Sequence, residues 1–537
     1  MQSTVLGHEL IRSIENATLA ALAGAAQIDA IVVGAGAAGG TAAMLLSEAG
    51  LTVLVLDAGW PIHFLQAPFF CASSAAIRTI ADPRLQTLLP PSVLNAGRKA
   101  LKVIGRLRQP IQSRCFAWEM APESFVQDYE CPYINEAGTT FHWFRTRQLG
   151  GRMVVPGHGR QYYRLAPRDF SPTDSLSPHW PFNAEELNPW YDFIEKRLGL
   201  SGSTEDSHWL LRSIVTHKRT ASPVEEELRQ ILTARWPATQ PVLGRFAPAL
   251  PALDLAARTG RLFCRQGAIV RDVLTDGRRR ACGVRWYDRR TRSLQTVKAP
   301  LVFLCASGLE STRILLCSNC CTGPSADILG KFLMDHVLVS GFGIGSKLPG
   351  GPVIAEPGRC VYVPHFENRS SSGGKPARGY GIQIYRWSRG RDKSFFNAVS
   401  FAEMTPRPEN RVVLDPLQTD AWGMPILRFH CQHNSVELGV SKAQSTTLGQ
   451  IAELLNVRMI KLDTTAAPAG TALHECGTAR MGSVPEDSVL DPYNQCWDTR
   501  GLYVTDASAF PSQGTQNPTL TILALTARAC HHALLTR

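Results

Sequence analysis

The chain has 537 residues, 44% of them hydrophobic and 19% charged, with a formal net charge of +11. Such length and composition describe a folded protein of two or more lobes and exclude a disordered, collagenous or disulfide-stapled chain. No apolar run is long enough to cross a bilayer without charges.

The opening stretch, MQSTVLGHELIRSIENATLAALAG, lacks a basic start followed by an apolar core. It predicts no secretory leader but a short amphipathic extension over 1–27. Ile31, Val32 and Val33 then form a β-branched run that stops at Gly34. Gly34, Gly36 and Gly39 complete G-x-G-x-x-G, and Thr41 to Ala49 continue as an Ala- and Leu-rich helix. The three glycines serve a tight turn, close approach of backbone to a pyrophosphate, and packing of helix on sheet, in that order. The N-terminus of that helix is an anion site. Val53 to Leu56 supply a second strand, and Asp57 ends it at the distance expected for a carboxylate that takes a ribose hydroxyl. Strand, turn, helix and acid agree, and together they predict a dinucleotide site.

Residues 61–140 break the βα rhythm. Proline recurs at 61, 68, 83, 90, 91 and 110 among scattered aromatics, as in a covering or lid segment. Within it Arg98, Lys99, Lys102, Arg106 and Arg108 interleave with apolar residues at helical spacing. A solvated helix face is the commoner meaning of such a pattern, and peripheral contact with a membrane the lesser one. No nucleic-acid-binding signature accompanies it.

In the stretch Phe141 to Phe170, Gly150 and Gly151 follow a basic, aromatic, strand-like run, which suits another close approach of backbone to a ligand. Ala184 to Leu200 and Pro223 to Trp236 read as helices capped by Asn183 and Ser222. From Arg261 to Val302 strands alternate across a turn at Asp276-Gly277. The buried run Leu301 to Ala306 then meets Ser307-Gly308 and a helix, a second strand–glycine–helix junction. Residues 340–435 are rich in short strands and read as an antiparallel sheet, and Val436 to Leu455 as a helix. Fourteen cysteines are scattered; Cys317 and Cys320 form one C-x-x-C with no partner pair at zinc spacing, so no metal site is expected. That usage fits a reducing, cytoplasmic setting.

The C-terminal segment carries the chemistry. His474 stands before a Gly-Thr turn in HECGTARMG, and Leu502 to Asp506 reads as a strand followed by a polar loop and a long helix. Asn517 suits the cap of that helix and Pro518 its first turn. Taken alone, a packed histidine and a capping asparagine are adequate readings of His474 and Asn517.

The motifs taken together go further. GAGAAG with Asp57, RQLGG (Arg147 to Gly151), ASGLESTRILL (Ala306 to Leu316), GKFLMDH (Gly330 to His336), HECGTARMG and VTDASAFPSQGTQNPTLTILALTAR occur in this order along nearly the whole chain. The chain thereby resembles the glucose–methanol–choline (GMC) family of FAD-dependent oxidoreductases, in wording most like bacterial sugar- and glycoside-type members. The resemblance implies an α/β fold: a Rossmann-like FAD-binding domain interleaved with an α+β substrate domain built on an antiparallel sheet. It places FAD-binding segments in 28–335, the substrate domain mainly in 336–465, and a catalytic and FAD-binding segment in 466–537. It implies that Gly34 and Gly36 hold the pyrophosphate, Asp57 the adenosine ribose, Val270 the adenine region and Asp506 the ribityl chain. Ala37, Ala38, Gly39, Ala58, Gly150, Gly151, Ala306, Ala507, Asn517, Pro518 and Thr519 are the other cofactor positions it implies.

By the same resemblance His474 is the catalytic histidine and Asn517 the second active-site position. A small-molecule alcohol would lose its O–H proton to His474 and hydride to flavin N5, with Asn517 donating to the developing alkoxide. Oxygen or another acceptor would then take the electrons. Two departures stand out: Asp57 replaces the family's more usual Glu, and Val155 occupies the place where some relatives carry a histidine joined to FAD. Non-covalent FAD is therefore expected, with His158 three residues beyond that place. The alternative reading is a non-redox lyase of the same fold, like the hydroxynitrile lyases, and a third is a flavin-bearing scaffold.

Overall fold

A computed structural model describes residues 27–59, 91–155, 160–172, 177–204, 209–346, 348, 358–366, 379–389 and 393–537. Residues 1–26 of the expected 1–27 extension, residues 61–90 of the lid-like insertion and His158 lie outside them.

Five parallel strands form the central sheet: β1 (Ala30–Val33), β2 (Val53–Asp57), β3 (Leu262–Gln266), β4 (Leu301–Leu304) and β5 (Leu502–Val504). They are ordered β5-β4-β1-β2-β3, so the chain leaves the sheet after β2 and returns from far away for each later strand. Every residue of β1, β2 and β4 is buried, as in a parallel sheet covered on both faces. The faces alternate residue by residue. Ala30 and Val32 pack with Ala38, Ala42 and Leu46 of helix α1 (Ala37–Glu48), whereas Ile31 and Val33 join the main core. Both strand–glycine–helix junctions are present: β1 leads into α1, and β4 through Ser307, at φ +76, into a helix at Gly308.

A second, six-stranded antiparallel sheet runs Arg458–Leu462, Val337–Gly345, Lys393–Ala402, Tyr380–Arg389, Val361–Phe366, Val242–Leu243. The helix Ser435–Leu454 covers one face of it. There Gln444 donates to the Val337 carbonyl at 3.2 Å and Tyr380 pairs with Thr447 at 2.8 Å. Its last strand comes from residues well before the 336–465 segment.

Helix α2 (Pro91–Arg108) is the basic amphipathic segment; Gly105 faces inward, where any Cβ would strike Trp118, and Val103 and Leu107 stay exposed. Asn183 and Ser222 cap the helices Ala184–Leu198 and Pro223–Arg235, each with a reciprocal bond from the glutamate three residues on. The first of these stops short of Leu200 because Gly199 takes φ +65. The run before Gly150 is no sheet strand. It is extended, but side chains claim alternate amides: Asn135 accepts from Phe141 N, Tyr133 from Trp143 N and Gln112 from Arg145 N. The run therefore makes isolated bridges, Phe141 with Ala469 and Thr146 with Phe125, in place of a continuous ladder.

Candidate active site

The glycines after β1 are held in place by contacts that leave no room for side chains. Gly34 sits at φ +94, where a Cβ would lie 2.5 Å from the Cys305 carbonyl oxygen; on Gly39 it would lie 1.8 Å from that of Gly34. Gly36 differs, because a Cβ there would meet nothing nearer than Gly151 Cα at 4.0 Å. Two backbone loops therefore face each other, and Gly150 N donates to Ala35 O at 3.0 Å to tie them. Gly150 and Gly151 are both left-handed, at φ +83 and +57. The cleft beside them is lined by Gly36, Ala37, Thr41, Gly150 and Met153, and the buried Thr41 hydroxyl in it has no hydrogen-bond partner among the described residues.

Asp57, at the end of β2, accepts from Ala35 N and Gly59 N, both at 2.7 Å. Burial raises its pKa above the usual carboxylate value, against those two amides and the charge of Arg147. The carboxylate thus holds the glycine loop and keeps lone pairs for a hydroxyl. Ala38 and Gly39 continue from Ala37 into the buried side of α1, and Ala58 follows Asp57. Gly267 N donates to Gly59 O at 2.7 Å, which brings the strand Ala268–Thr275, with buried Val270, to the same corner. These donors, the Cβ-free approach and the orphaned hydroxyl fit a dinucleotide pyrophosphate and its ribose.

A second corner lies at the ends of β4 and β5. Ser311 donates to Asp506 Oδ2 at 2.5 Å while Ser508 N and Oγ donate to Oδ1; Ala306 N donates to Ser311 Oγ at 3.0 Å. Burial raises the pKa of Asp506 against those bonds. Ala507 accepts from Gly477 N, so this corner is stitched to the segment that carries His474. Arg152, just past Gly151, adds an ion pair to buried Glu475 at 3.0 Å.

His474 sits half-buried on a loop gripped by one buried carboxylate. Asp335 accepts from Gly470 N at 2.7 Å, Ala472 N at 3.1 Å and His474 N at 3.0 Å. Burial, with the nearby charge of Glu475, raises Asp335 to about 6. The imidazole itself is set by His336. His336 Nε2 lies 3.1 Å from the Gly514 carbonyl, which can only accept, so that nitrogen carries the proton. His336 Nδ1 is then a lone pair facing His474 Nδ1 at 2.8 Å, and His474 must donate there. Burial pushes His336 down to about 3, so it stays neutral near pH 7. In the neutral imidazole of His474 the lone pair is then on Nε2, the form a base requires.

Asn517 lies beyond Nε2, its Nδ2 at 3.4 Å. Gln383, on the antiparallel strand Tyr380–Arg389, donates to Asn517 Oδ1 at 2.5 Å, while Tyr385 donates to Gln383 Oε1 at 3.3 Å. With Oδ1 occupied, the amide presents its N–H groups toward His474. The capping role expected for Asn517 is not what the structure has. The last helix is Thr519–Leu535, and its cap residue is Pro518, which makes no side-chain cap bond. Asn517 is outbid by Gln383, one residue too early to reach that turn.

Sequence reasoning missed His336, Asp335 and Gln383. The first two close the GKFLMDH motif, where adjacent Asp and His were the available signal; nothing local marks Gln383. Val155 is buried with Phe144 and Leu473. His142 is engaged by Arg114 at 3.3 Å and Thr471 at 3.3 Å.

Known proteins carry the same pieces. Residues 29–78 match the FAD binding domain model and residues 406–526 the GMC oxidoreductase model. The 2-methyl-1,2-propanediol dehydrogenase of Mycolicibacterium austroafricanum is 27% identical over 475 residues, 76% of this chain and 82% of that one. The 6'''-hydroxyparomomycin C oxidase of Streptomyces lividus is 24% identical over 470 residues, again 76% and 82%. In fold, pyridoxine 4-oxidase from Mesorbium loti superposes with a TM-score of 0.59 over 95% of this chain and 100% of that one, at 18% identity. The cradle at one end and the His474–Asn517 segment at the other thus fall within the matched FAD binding domain and GMC oxidoreductase models, and FAD is the cofactor.

Proposed function

We propose that this FAD-dependent enzyme oxidises a small-molecule alcohol to an aldehyde or ketone with His474 as base and Asn517 as alkoxide donor. The observation that carries the reading is the set of hydrogen bonds from Gly514 through His336 to His474 Nδ1, which turns His474 Nε2 toward the Asn517 amide, 3.4 Å from its Nδ2. An alcohol oxygen between the two would lose its proton to Nε2 and keep its growing negative charge against Nδ2. FAD, when bound, supplies the hydride acceptor. Asp57, Gly36 and Gly151 would hold its adenosine and pyrophosphate end, and Asp506 and Ala507 its ribityl side.

The 336–465 sheet would wall the substrate pocket, with 28–335 and 466–537 forming the cofactor side. The 2-methyl-1,2-propanediol dehydrogenase and 6'''-hydroxyparomomycin C oxidase relatives support a hydroxylated substrate such as a sugar, glycoside, polyol or cyclic secondary metabolite. Oxygen or another acceptor reoxidises the flavin. Val155 has no nucleophilic atom, which supports non-covalent FAD. A cytoplasmic setting is supported by the thirteen cysteines that form no disulfide among the described residues.

The test is anaerobic mixing of the holoenzyme with sugars, polyols and aromatic alcohols while the visible flavin band is followed. Bleaching at roughly 1–1000 per second by one of them supports the reading. A flavin that stays oxidised against the whole panel, in an enzyme that instead cleaves cyanohydrins, would replace it with the lyase reading.

A further inference from the structure

Two loops distant in sequence bring a pair of thiols together away from the active site. Cys321 follows the helix Gly308–Leu316, and Cys496 precedes β5; their sulfurs lie 3.8 Å apart. Cys496 Sγ also lies 3.7 Å from the Cys320 carbonyl oxygen, so the two backbones stand close. The surrounding bonds already fix the loops against each other. Asp498 accepts from Thr322 N and Gly323 N at 3.2 Å and from Ser325 Oγ, and Thr499 Oγ1 donates to the Cys320 carbonyl at 2.8 Å.

We infer that Cys321 and Cys496 are an oxidation site at which a peroxide joins the two loops by a disulfide. Because the loops are pre-positioned, closing the sulfurs to about 2.05 Å asks for side-chain rotation rather than a rebuilt backbone. The chemistry balances in two steps. The half-buried Cys321 sulfur attacks peroxide, the O–O bond breaks, and Cys321 becomes a sulfenic acid with release of water. Cys496 sulfur then displaces hydroxide from that sulfur, which leaves as water with the Cys496 proton. Two thiols are oxidised and one peroxide is reduced to two waters. The hydrogen bond to Cys496, and burial, hold the Cys321 thiol well above its ordinary pKa, so the pair closes slowly. It acts as a lock under sustained oxidation.

The experiment incubates reduced holoenzyme with millimolar hydrogen peroxide, blocks free thiols with iodoacetamide in denaturant, and maps non-reduced peptides by mass spectrometry. The expected product is a Cys321–Cys496 linked peptide, resolved by dithiothreitol, present in Cys320→Ser and absent in Cys496→Ser. Oxidised wild type should also melt above its reduced form, with no such difference in Cys496→Ser. Recovery of Cys321 and Cys496 as alkylated thiols after the half-buried Cys282 and Cys317 have oxidised would overturn the inference. A Cys320–Cys321 link, or Cys321 as sulfinic acid, would overturn it equally.

Discussion

At the scale of single residues, the site is a sequence of donors and acceptors with each proton assigned by its neighbour. His474→Ala should keep FAD and the fold while flavin reduction falls about 100-fold or more, the range of general-base catalysis; near-normal reduction would remove His474 from the role. Gln383 has a separable effect. In Gln383→Glu the carboxylate takes an Asn517 N–H, so the amide turns and offers oxygen where a donor is needed. Flavin reduction should slow about 10- to 100-fold with KM little changed. The Gln383→Glu/Asn517→Ala double variant should be no slower than Asn517→Ala alone. Additive losses in stopped-flow rates would show that Gln383 does not act through Asn517. His336 supplies a pH signature. Its folded value near 3 lies below its ordinary 6.5, so as pH falls through that window the unfolded chain takes up a proton the fold refuses. Its contribution is intact above 6.5 and declines below it, by about 2 kcal/mol at pH 5. Asp335, raised to about 6, works in the opposite sense over the same range. Comparison with His336→Gln isolates the histidine: its melting temperature should drop less than wild type between pH 7.5 and 5, and an equal drop would refute the assignment.

At the scale of elements, the two glycine loops make contrasting predictions from the same motif. A methyl at Gly39 collides with the Gly34 carbonyl at 1.8 Å, so Gly39→Ala should destabilise the β1–α1 unit itself. Among the described residues beyond its chain neighbours, a methyl at Gly36 meets nothing closer than Gly151 Cα at 4.0 Å and intrudes on the space before the loops. Gly36→Ala apoprotein should therefore melt like wild-type apoprotein yet retain far less FAD, measured by the ratio of flavin to protein absorbance. Equal FAD retention would mean that the cofactor does not approach there. The C-terminal helix shows how local chemistry misleads: Asn517-Pro518 has the composition of a helix start, but a strand from the other sheet claims the asparagine.

At the scale of the molecule, cofactor retention depends on assembling β1, β2, the Gly150-Gly151 loop and the 506–507 corner, which come from widely separated parts of the chain. Binding of this kind stabilises only the folded state. Boiling or acid precipitation should release all yellow FAD to the supernatant and leave a colourless pellet. Flavin that stays with the pellet would show a covalent bond and overturn the assignment of Val155.

The sequence by itself determined the elements and motifs whose signals are local. The β-branched run, the glycine spacing and Asp57 specify the β1–α1–β2 unit because turn geometry and helix packing act within about thirty residues. The caps at Asn183 and Ser222 were legible for the same reason, as were His474 and Asn517 as candidates through the motifs around them. Only the tertiary structure decided which nitrogen of His474 faces His336 and which way the Asn517 amide points. Those are settled by hydrogen bonds from His336, Gln383 and Gly514, residues 138, 134 and 178 positions from their respective partners. A hydrogen bond depends on distances of about 3 Å and on direction, and no local pattern in the chain encodes either across such separations.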